Sequence, residues 1–304
     1  MIRSDFAAFI ITYNRREILQ RTIQGIERQT VAPSKILVVN NGEPLDQTMN
    51  SGTTGMQLEV HAMGFNSGPA GAAHFAMNAL SAQGFQWIQW IDDDDPPKVE
   101  NLNERLFAHL ENLKGINVGI IAPAGSYFNT SSGVAVRVKD GDVTNNRYLH
   151  VQTVGGNQCM LINSRVVLSG CLPTASLFFG FEETNFCLKV LNAGYKIIVP
   201  CDLFFEYRNL AGRWDMKESD LRKIKVLPWR NYYSVRNLIY MFLYEFKRPA
   251  TALRVLTRAA LKAINGLKHP SNGFSELYYT TVAIKDGILK KLGIRVKPIP
   301  KHHK

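Results

Sequence analysis

Apolar and polar positions alternate in two rhythms along the first 120 residues. Residues 6–12 are apolar and β-rich, and residues 16–29 then place Ile18, Leu19, Ile23 and Ile26 on one helical face. Lys35–Val39 reads as a second buried strand ending in the turn signal Asn40-Asn41-Gly42, and residues 58–62 as a third, weaker strand. Residues 69–82 are Ala-rich and helical, 87–91 a Trp- and Ile-rich strand, 98–113 an amphipathic helix and 118–121 a short buried strand. Strand alternating with helix predicts a largely parallel sheet covered on both faces. Ligands bind such sheets beyond the carboxyl ends of the strands, and Thr12-Tyr13-Asn14, Asn40-Asn41 and Asp92–Asp94 all fall there.

The middle of the chain changes character. Residues 134–138 alternate, Lys139–Asp142 reads as a hairpin turn, and 150–163 as strand with a Gly155-Gly156 pair marking a bulge or a close backbone approach. Residues 182–193 look helical, and 196–207 look like strand broken at Pro200. Helical spacing returns at 230–246, 250–265 and 275–292.

Charge divides the chain unevenly. Residues 1–220 carry 18 Lys/Arg against 22 Asp/Glu, whereas 221–304 carry 18 against 3, so the net charge of +11 belongs to the last quarter. An aromatic, basic, helical segment fits an anionic membrane surface, and no nucleic-acid-binding motif accompanies the charge. No apolar stretch approaches the roughly 20 residues needed to cross a bilayer. No signal-like leader is visible, and the four scattered cysteines read as core thiols. The expected setting is cytoplasmic, peripheral at the inner face of the cell membrane.

The densest chemistry is Asp92 to Asp95, delivered by the tip of a hydrophobic strand and followed by Pro96-Pro97. Like charges this close repel unless a partner offsets them. A hard divalent cation, Mg²⁺ or Mn²⁺, shared with phosphate would do so; a solvated acidic turn is the plain alternative.

Five motifs in order resemble one family. They are Ile11-Thr12-Tyr13-Asn14-Arg15, Val38-Val39-Asn40-Asn41-Gly42, Asn66-Ser67-Gly68-Pro69-Ala70-Gly71, Trp90-Ile91-Asp92-Asp93-Asp94 and Phe181-Glu182-Glu183-Thr184-Asn185-Phe186. Together they resemble the family 2 inverting nucleotide-sugar glycosyltransferases of GT-A fold. The Arg230–Tyr233 and Arg236-Asn237 segment is similar to galactofuranosyl- and rhamnosyltransferases.

The resemblance implies an α/β GT-A domain over 1–220, with a nucleotide-sugar-binding half 1–125 and an acceptor-side half 126–220. A basic helical region over 221–304 follows. It implies a UDP- or dTDP-linked sugar donor, galactofuranose or rhamnose favoured, and a glycan or lipid-linked glycan acceptor in cell-surface polysaccharide assembly.

By the same resemblance Thr12, Tyr13, Asn14, Arg15, Asn40, Asn66, Gly68, Asp92 and Asp93 lie on the donor. Asp92 and Asp94 hold the metal, with Glu206, or Tyr207 if the register shifts by one, standing where relatives often have a His. Glu183 is the base, Glu182 and Trp214 meet the acceptor, and 208–218 forms a mobile loop over the donor. Asp95 is expected to cap the following helix. A nucleotidyltransferase would want a Gly-rich basic loop after the first strand, which Thr12-Tyr13-Asn14 does not supply. A non-catalytic sugar-nucleotide-binding protein is the remaining alternative.

Overall fold

The computed structural model describes residues 5–45, 55–216, 227–267 and 273–297. The chain divides into two compact units. One contains residues up to 127, 137–175 and 183–215; the other contains 128–136, 176–182 and the chain from 216 onward.

The first unit is built on an eight-stranded sheet. In chain order its strands are β1 (Phe6–Thr12), β2 (Lys35–Asn40), β3 (Gln57–Ala62), β4 (Trp87–Asp92), β5 (Val118–Ile121), β8 (Tyr148–His150), β9 (Met160–Asn163) and β10 (Lys196–Pro200). A short pair, β6 (Tyr127–Asn129) and β7 (Val134–Val136), stands apart from it. The spatial order is β3-β2-β1-β4-β9-β5-β10-β8. Strands β3, β2, β1 and β4 run parallel, β9 runs against both neighbours, and β5 and β10 are parallel again.

Period-two burial divides the sheet's side chains between two cores. Ala7, Phe9, Leu37, Val39, Ile88 and Trp90 face α2 (Gly68–Ala82), α5 (Ser164–Leu168) and α6 (Glu182–Asn192). Phe6, Ala8, Ile10, Ile36, Val38 and Ile91 face α1 (Arg16–Glu27), α3 (Leu102–Asn112) and α7 (Cys201–Leu210). Small residues on α2, Ala72, Ala73 and Ala76 among them, are fully buried in the first core. All four cysteines are buried and unpaired.

Three local expectations are corrected. Lys139–Asp142 does not turn a hairpin; Asp140 opens α4 (Asp140–Asn145). The segment after Pro200 is helix, not strand: Leu203 and Tyr207 enter the α1/α3 core at helical spacing, and Pro200 serves as the residue before the first turn. Asp95 does not cap the next helix: Pro96-Pro97 lie in irregular backbone, and α3 begins only at Leu102 behind Asn101.

The expected mobile loop is held down as far as residue 216; residues 217 and 218 lie outside the described residues. Asp140 gathers it. Its carboxylate accepts from Arg137 Nη2 (2.6 Å), from Arg208 Nη1 and from the backbone N–H of Asp215 (3.0 Å). Arg137 Nη2 also donates to the carbonyl of Arg213 (2.7 Å).

In the second unit α8 (Pro228–Tyr240) runs into a π-helical turn at 241–245. The helices α9 (Pro249–Gly266) and α10 (Gly273–Ile288) follow. The turn of the β6–β7 pair lies against α9: Thr251 Oγ1 donates to Thr130 O (2.9 Å), Arg254 to Ser131 O (2.8 Å) and Arg258 to Ser132 O (2.8 Å). Gly133 in that turn has φ +68°, and a Cβ there would lie 2.8 Å from Val255 Cγ2, so only glycine fits. No described helix is long and apolar enough to cross a membrane.

Burial pushes the Asp140 carboxyl up, but Arg137, the Asp215 N–H and Arg208 outweigh it and hold it below the ordinary carboxylate range. Its contribution to stability is therefore present above that range and is lost as pH falls. Asp140→Ala should cost about 2–3 kcal/mol by leaving the buried Arg208 guanidinium without its counter-ion. Hydrogen exchange at residues 208–216 should rise selectively, and denaturant melts at pH 7 measure the loss.

Candidate active site

Three strands end on one rim. In the register of the sheet Thr12 pairs with Asn40 and Ile11 with Asp92. From there the consecutive aspartates go to different places. Asp93 folds inward: its carboxylate accepts from Thr12 Oγ1 (2.9 Å) and Arg15 Nη1 (3.2 Å), and its carbonyl from Thr22 Oγ1 (2.6 Å). Asp94 stays exposed and takes the same Arg15 nitrogen at 2.8 Å. Asp95 lies 4.0 Å from Lys98 Nζ. Arg15 thus bridges two of the four carboxylates from the residue just before α1.

The asparagines mostly fold the rim itself. Asn14 is left-handed (φ 54°), and its Oδ1 accepts from Glu43 N at 2.8 Å. Asn40 Nδ2 donates to Glu43 O (2.7 Å) while its Oδ1 accepts from Gly42 N (2.9 Å). Both amides expected on the donor are engaged in this turn. A Cβ on Gly42 would stand 2.1 Å from Asn14 Oδ1 and 2.9 Å from Asn14 N, so a side chain there would force this turn to shift. Asn66 Oδ1 accepts from Gly68 N (3.0 Å), with Gly68 at φ +68°. Asn41, not singled out from the sequence, ties the two loops together: its Oδ1 accepts from Ser67 N (3.0 Å) and Ser67 Oγ (2.7 Å), and its Nδ2 donates to Gly68 O (3.2 Å). Tyr13 is exposed.

The second acidic group arrives from α6. Glu183 Oε1 accepts from the backbone N–H of Gly156 at 3.3 Å. A Cβ on Gly156 would lie 2.6 Å from Asp92 Oδ1 and 2.6 Å from Trp90 Nε1. One glycine therefore packs against both strand-tip groups and holds the helix carboxylate. The Gly155-Gly156 pair signalled a close approach; its partners belong to the fold and not to the local sequence.

Burial, followed by the charges of Glu183, Asp94, Asp93 and Asp95, pushes Asp92 up to about 8. Burial likewise raises Glu183, against the opposing pull of backbone N–H groups including that of Gly156. Trp90 Nε1 is buried with no hydrogen-bond partner among the described residues.

The remaining site residues separate. Glu182 is buried, and Asn185 Oδ1 accepts from Thr174 N (2.9 Å). Trp214 packs on Phe205 with the rings tilted and their centroids 4.9 Å apart, has the Arg208 guanidinium 5.5 Å from its ring, and donates from Nε1 to Asn209. Glu206 rides on α7, where Arg105 of α3 binds its carboxylate and holds Asp202 at 2.9 Å. The carboxylates acting most strongly on Asp92 do not include it. Among the described residues no three His, Cys, Asp or Glu side chains form a ready-made metal cage. Two converging carboxylates still suit a hard cation that takes its other ligands from water and phosphate, and Asp92 is raised by burial first and by the neighbouring carboxylates after it.

The family model for Glycosyl transferase family 2 matches residues 7–168. Galactofuranosyltransferase GlfT1 of Mycobacterium tuberculosis, from strains CDC 1551 / Oshkosh and ATCC 25618 / H37Rv, is 22% identical over 206 residues, 64% of this chain and 66% of that one. The chain thus spans just under two thirds of the length of the curated relatives it matches. Among solved structures, S. aureus TarS 1-349 in complex with UDP aligns over 94% of this chain and 92% of that one, with TM-score 0.50 and 14% identity. The mannosyltransferase PcManGT from Pyrobaculum calidifontis aligns over 94% and 87%, with TM-score 0.49 and 14% identity, too distant to add to the fold assignment. The family match runs over more than half of the residues and through the strands that carry Thr12, Asn40 and Asp92: the chain belongs to glycosyl transferase family 2 and has the GT-A fold.

Proposed function

We propose that the protein moves a sugar from a nucleoside-diphosphate donor, UDP- or dTDP-linked, to a hydroxyl of a glycan or lipid-linked glycan, inverting the anomeric centre. The observation that carries this reading is the meeting of Asp92 and Glu183 at Gly156: a strand-tip carboxylate of the metal-binding kind beside a second carboxylate whose proton affinity burial has raised. A relative named for galactofuranosyl transfer favours galactofuranose over rhamnose. Cell-surface polysaccharide assembly is the setting that such a donor suggests.

In this reading Glu183 accepts the proton of the acceptor hydroxyl as that oxygen bonds to the anomeric carbon. The bond from that carbon to the diphosphate oxygen breaks, and the nucleoside diphosphate leaves from the opposite face. A raised carboxylate is a better proton acceptor near neutrality than an ordinary one. Asp92 and Asp94 would hold Mg²⁺ or Mn²⁺, which supplies charge neutralisation to the leaving diphosphate. Arg15 keeps Asp94 oriented at the mouth, while Asp93, bonded to Thr12 and Thr22, fixes the strand tip. Gly68 opens α2 with backbone N–H groups suited to an anionic ligand.

The basic C-terminal region is read as seating the enzyme on an anionic membrane face. Leu253, Leu261 and Ile264 on α9 and Phe274 and Tyr278 on α10 are exposed large apolar side chains, within a stretch carrying 18 Lys/Arg against 3 acidic residues. The two helices pack on each other, with Lys262 3.2 Å from Glu276 across them. Apolar residues set among cations suit a bilayer interface of negative charge.

Three outcomes follow. Glu183→Gln should reduce release of UDP from UDP-galactofuranose, with an octyl galactofuranoside as acceptor, by at least about a hundredfold while calorimetric donor affinity persists; undiminished release removes Glu183 as the base.

Asp92→Asn should abolish manganese-dependent donor binding yet raise Tm in EDTA by a few degrees. Because Asp92 binds its proton more tightly folded than unfolded, metal-free stability of the native protein should fall as pH rises toward about 8, and the variant should lose that slope.

Vesicles containing phosphatidylglycerol should float the protein at low salt, neutral vesicles should not, and Leu261→Glu with Phe274→Glu should abolish flotation.

A further inference from the structure

The six residues that lead into Glu182 and Glu183 have an unusual backbone. Phe178 (φ 64°), Gly180 (φ 81°) and Phe181 (φ 68°) are all left-handed, and two of the three are aromatic residues that pay sterically for that conformation. Such geometry persists only where the surroundings over-determine it, and it gathers at functional sites.

The surroundings here are the buried face of α8. Asn237, completely buried, directs its Nδ2 at the carbonyls of Gly180 (2.7 Å), Phe179 (2.9 Å) and Leu177 (3.2 Å). Arg236, also completely buried, donates from Nη2 to Leu177 O (2.6 Å) and from Nη1 to Gly293 O (2.8 Å). Its Nε donates to Asn237 Oδ1 (2.9 Å), which fixes which end of the amide faces the loop. Phe178 packs on Tyr233 at 5.2 Å and Phe179 on Trp229 at 5.0 Å. Tyr232, one turn back, donates to Asp286 at 2.7 Å and anchors α8 to α10.

We propose that Asn237, oriented by Arg236, is a positioning residue for Glu183: it holds the left-handed loop whose last residues set where α6 begins and hence where the base carboxylate points. The inference rests on Glu183 being the base. Two buried polar side chains spent on carbonyls of a six-residue loop are far more than that loop needs to close. Gly180 lies only three residues before Glu183, so a backbone relaxing out of the left-handed region at Phe181 would turn the first residues of α6. Displacement of a reacting group by about 1 Å can lower a rate a hundredfold.

The test is Asn237→Asp in the full chain. This variant keeps the shape and the acceptor for Arg236 Nε, and pairs its charge with that guanidinium, but has no donor for the carbonyls. With UDP-galactofuranose and an octyl galactofuranoside, kcat should fall about 10–100-fold while donor KM stays within about twofold. The Glu183→Gln/Asn237→Asp double variant should be no slower than Glu183→Gln alone. Without any donor, amide exchange at Gly180–Glu183 should rise at least about tenfold while β1 and β4 stay protected.

Unchanged exchange there, unchanged kcat with a lowered Tm, or losses that multiply in the double variant would overturn the proposal. Wild-type transfer by Glu183→Gln would instead overturn the reading on which it rests. If Asn237→Asp alone does not fold, adding Phe181→Gly relieves the left-handed strain and restores stability; kcat of the pair should still fall about 10–100-fold below that of Phe181→Gly alone, and equal rates refute the proposal.

Discussion

The site depends on a crowding of negative charge that the sheet cannot avoid. Parallel strands deliver their C-terminal tips to one edge, and β4 brings four aspartates there while α6 adds Glu183. Asp92 and Glu183 can approach only because Gly156 lies between their supports with no side chain: its N–H holds one carboxylate, and the space a Cβ would fill is occupied by the other. Burial first, and the neighbouring carboxylates after it, push Asp92 up to about 8. Such an arrangement destabilises the free protein and favours any ligand that brings positive charge, which is what a site for a cation and a diphosphate requires.

Arg15 decides what the four consecutive aspartates become. A single guanidinium nitrogen reaching Asp93 and Asp94 relieves two of them, and the hydroxyls of Thr12 and Thr22 finish the burial of Asp93. Asp92 receives no such relief and remains the charged-site candidate. Identical residues in one run thus have distinct environments, set by which way each leaves the strand and by which element lies opposite. The same logic separates the adjacent glutamates of α6: Glu182 is buried, while Glu183 turns to Gly156.

Much of this was legible in the sequence, for physical reasons. The period-two and period-3.6 patterns located β1 to β5 and α1 to α3 because burial on two sheet faces imposes them. What failed was local ambiguity. After Pro200 the run Leu203-Phe204-Phe205-Glu206-Tyr207 is apolar enough for strand or helix, and it forms α7, where Glu206 meets Arg105. Asn14 and Asn40 look like ligand contacts because amides both donate and accept, but the same capacity lets them fold the Asn40–Glu43 turn. The partners of Gly156 come from sequence positions some 27 and 64 residues away, beyond the reach of any local pattern.

The C-terminal region shows why charge counted along a chain is a coarse guide to a surface. Arg236 contributes to the basic excess yet is completely buried, its guanidinium spent on two carbonyls and an amide, so it offers no contact to a surface ligand. Arg254 and Arg258 bind the carbonyls of the β6–β7 turn and yet stay at the surface, so they serve packing and field together. A basic segment can therefore do two separable jobs. Its inner face builds the support for the loop before α6, where desolvation makes each hydrogen bond specific. Its outer face keeps enough cations around Leu261 and Phe274 to meet an anionic surface. Neutralising exposed lysines would weaken the second function and leave the first intact, because the loop is held by Arg236, Asn237, Trp229 and Tyr233 and not by those lysines.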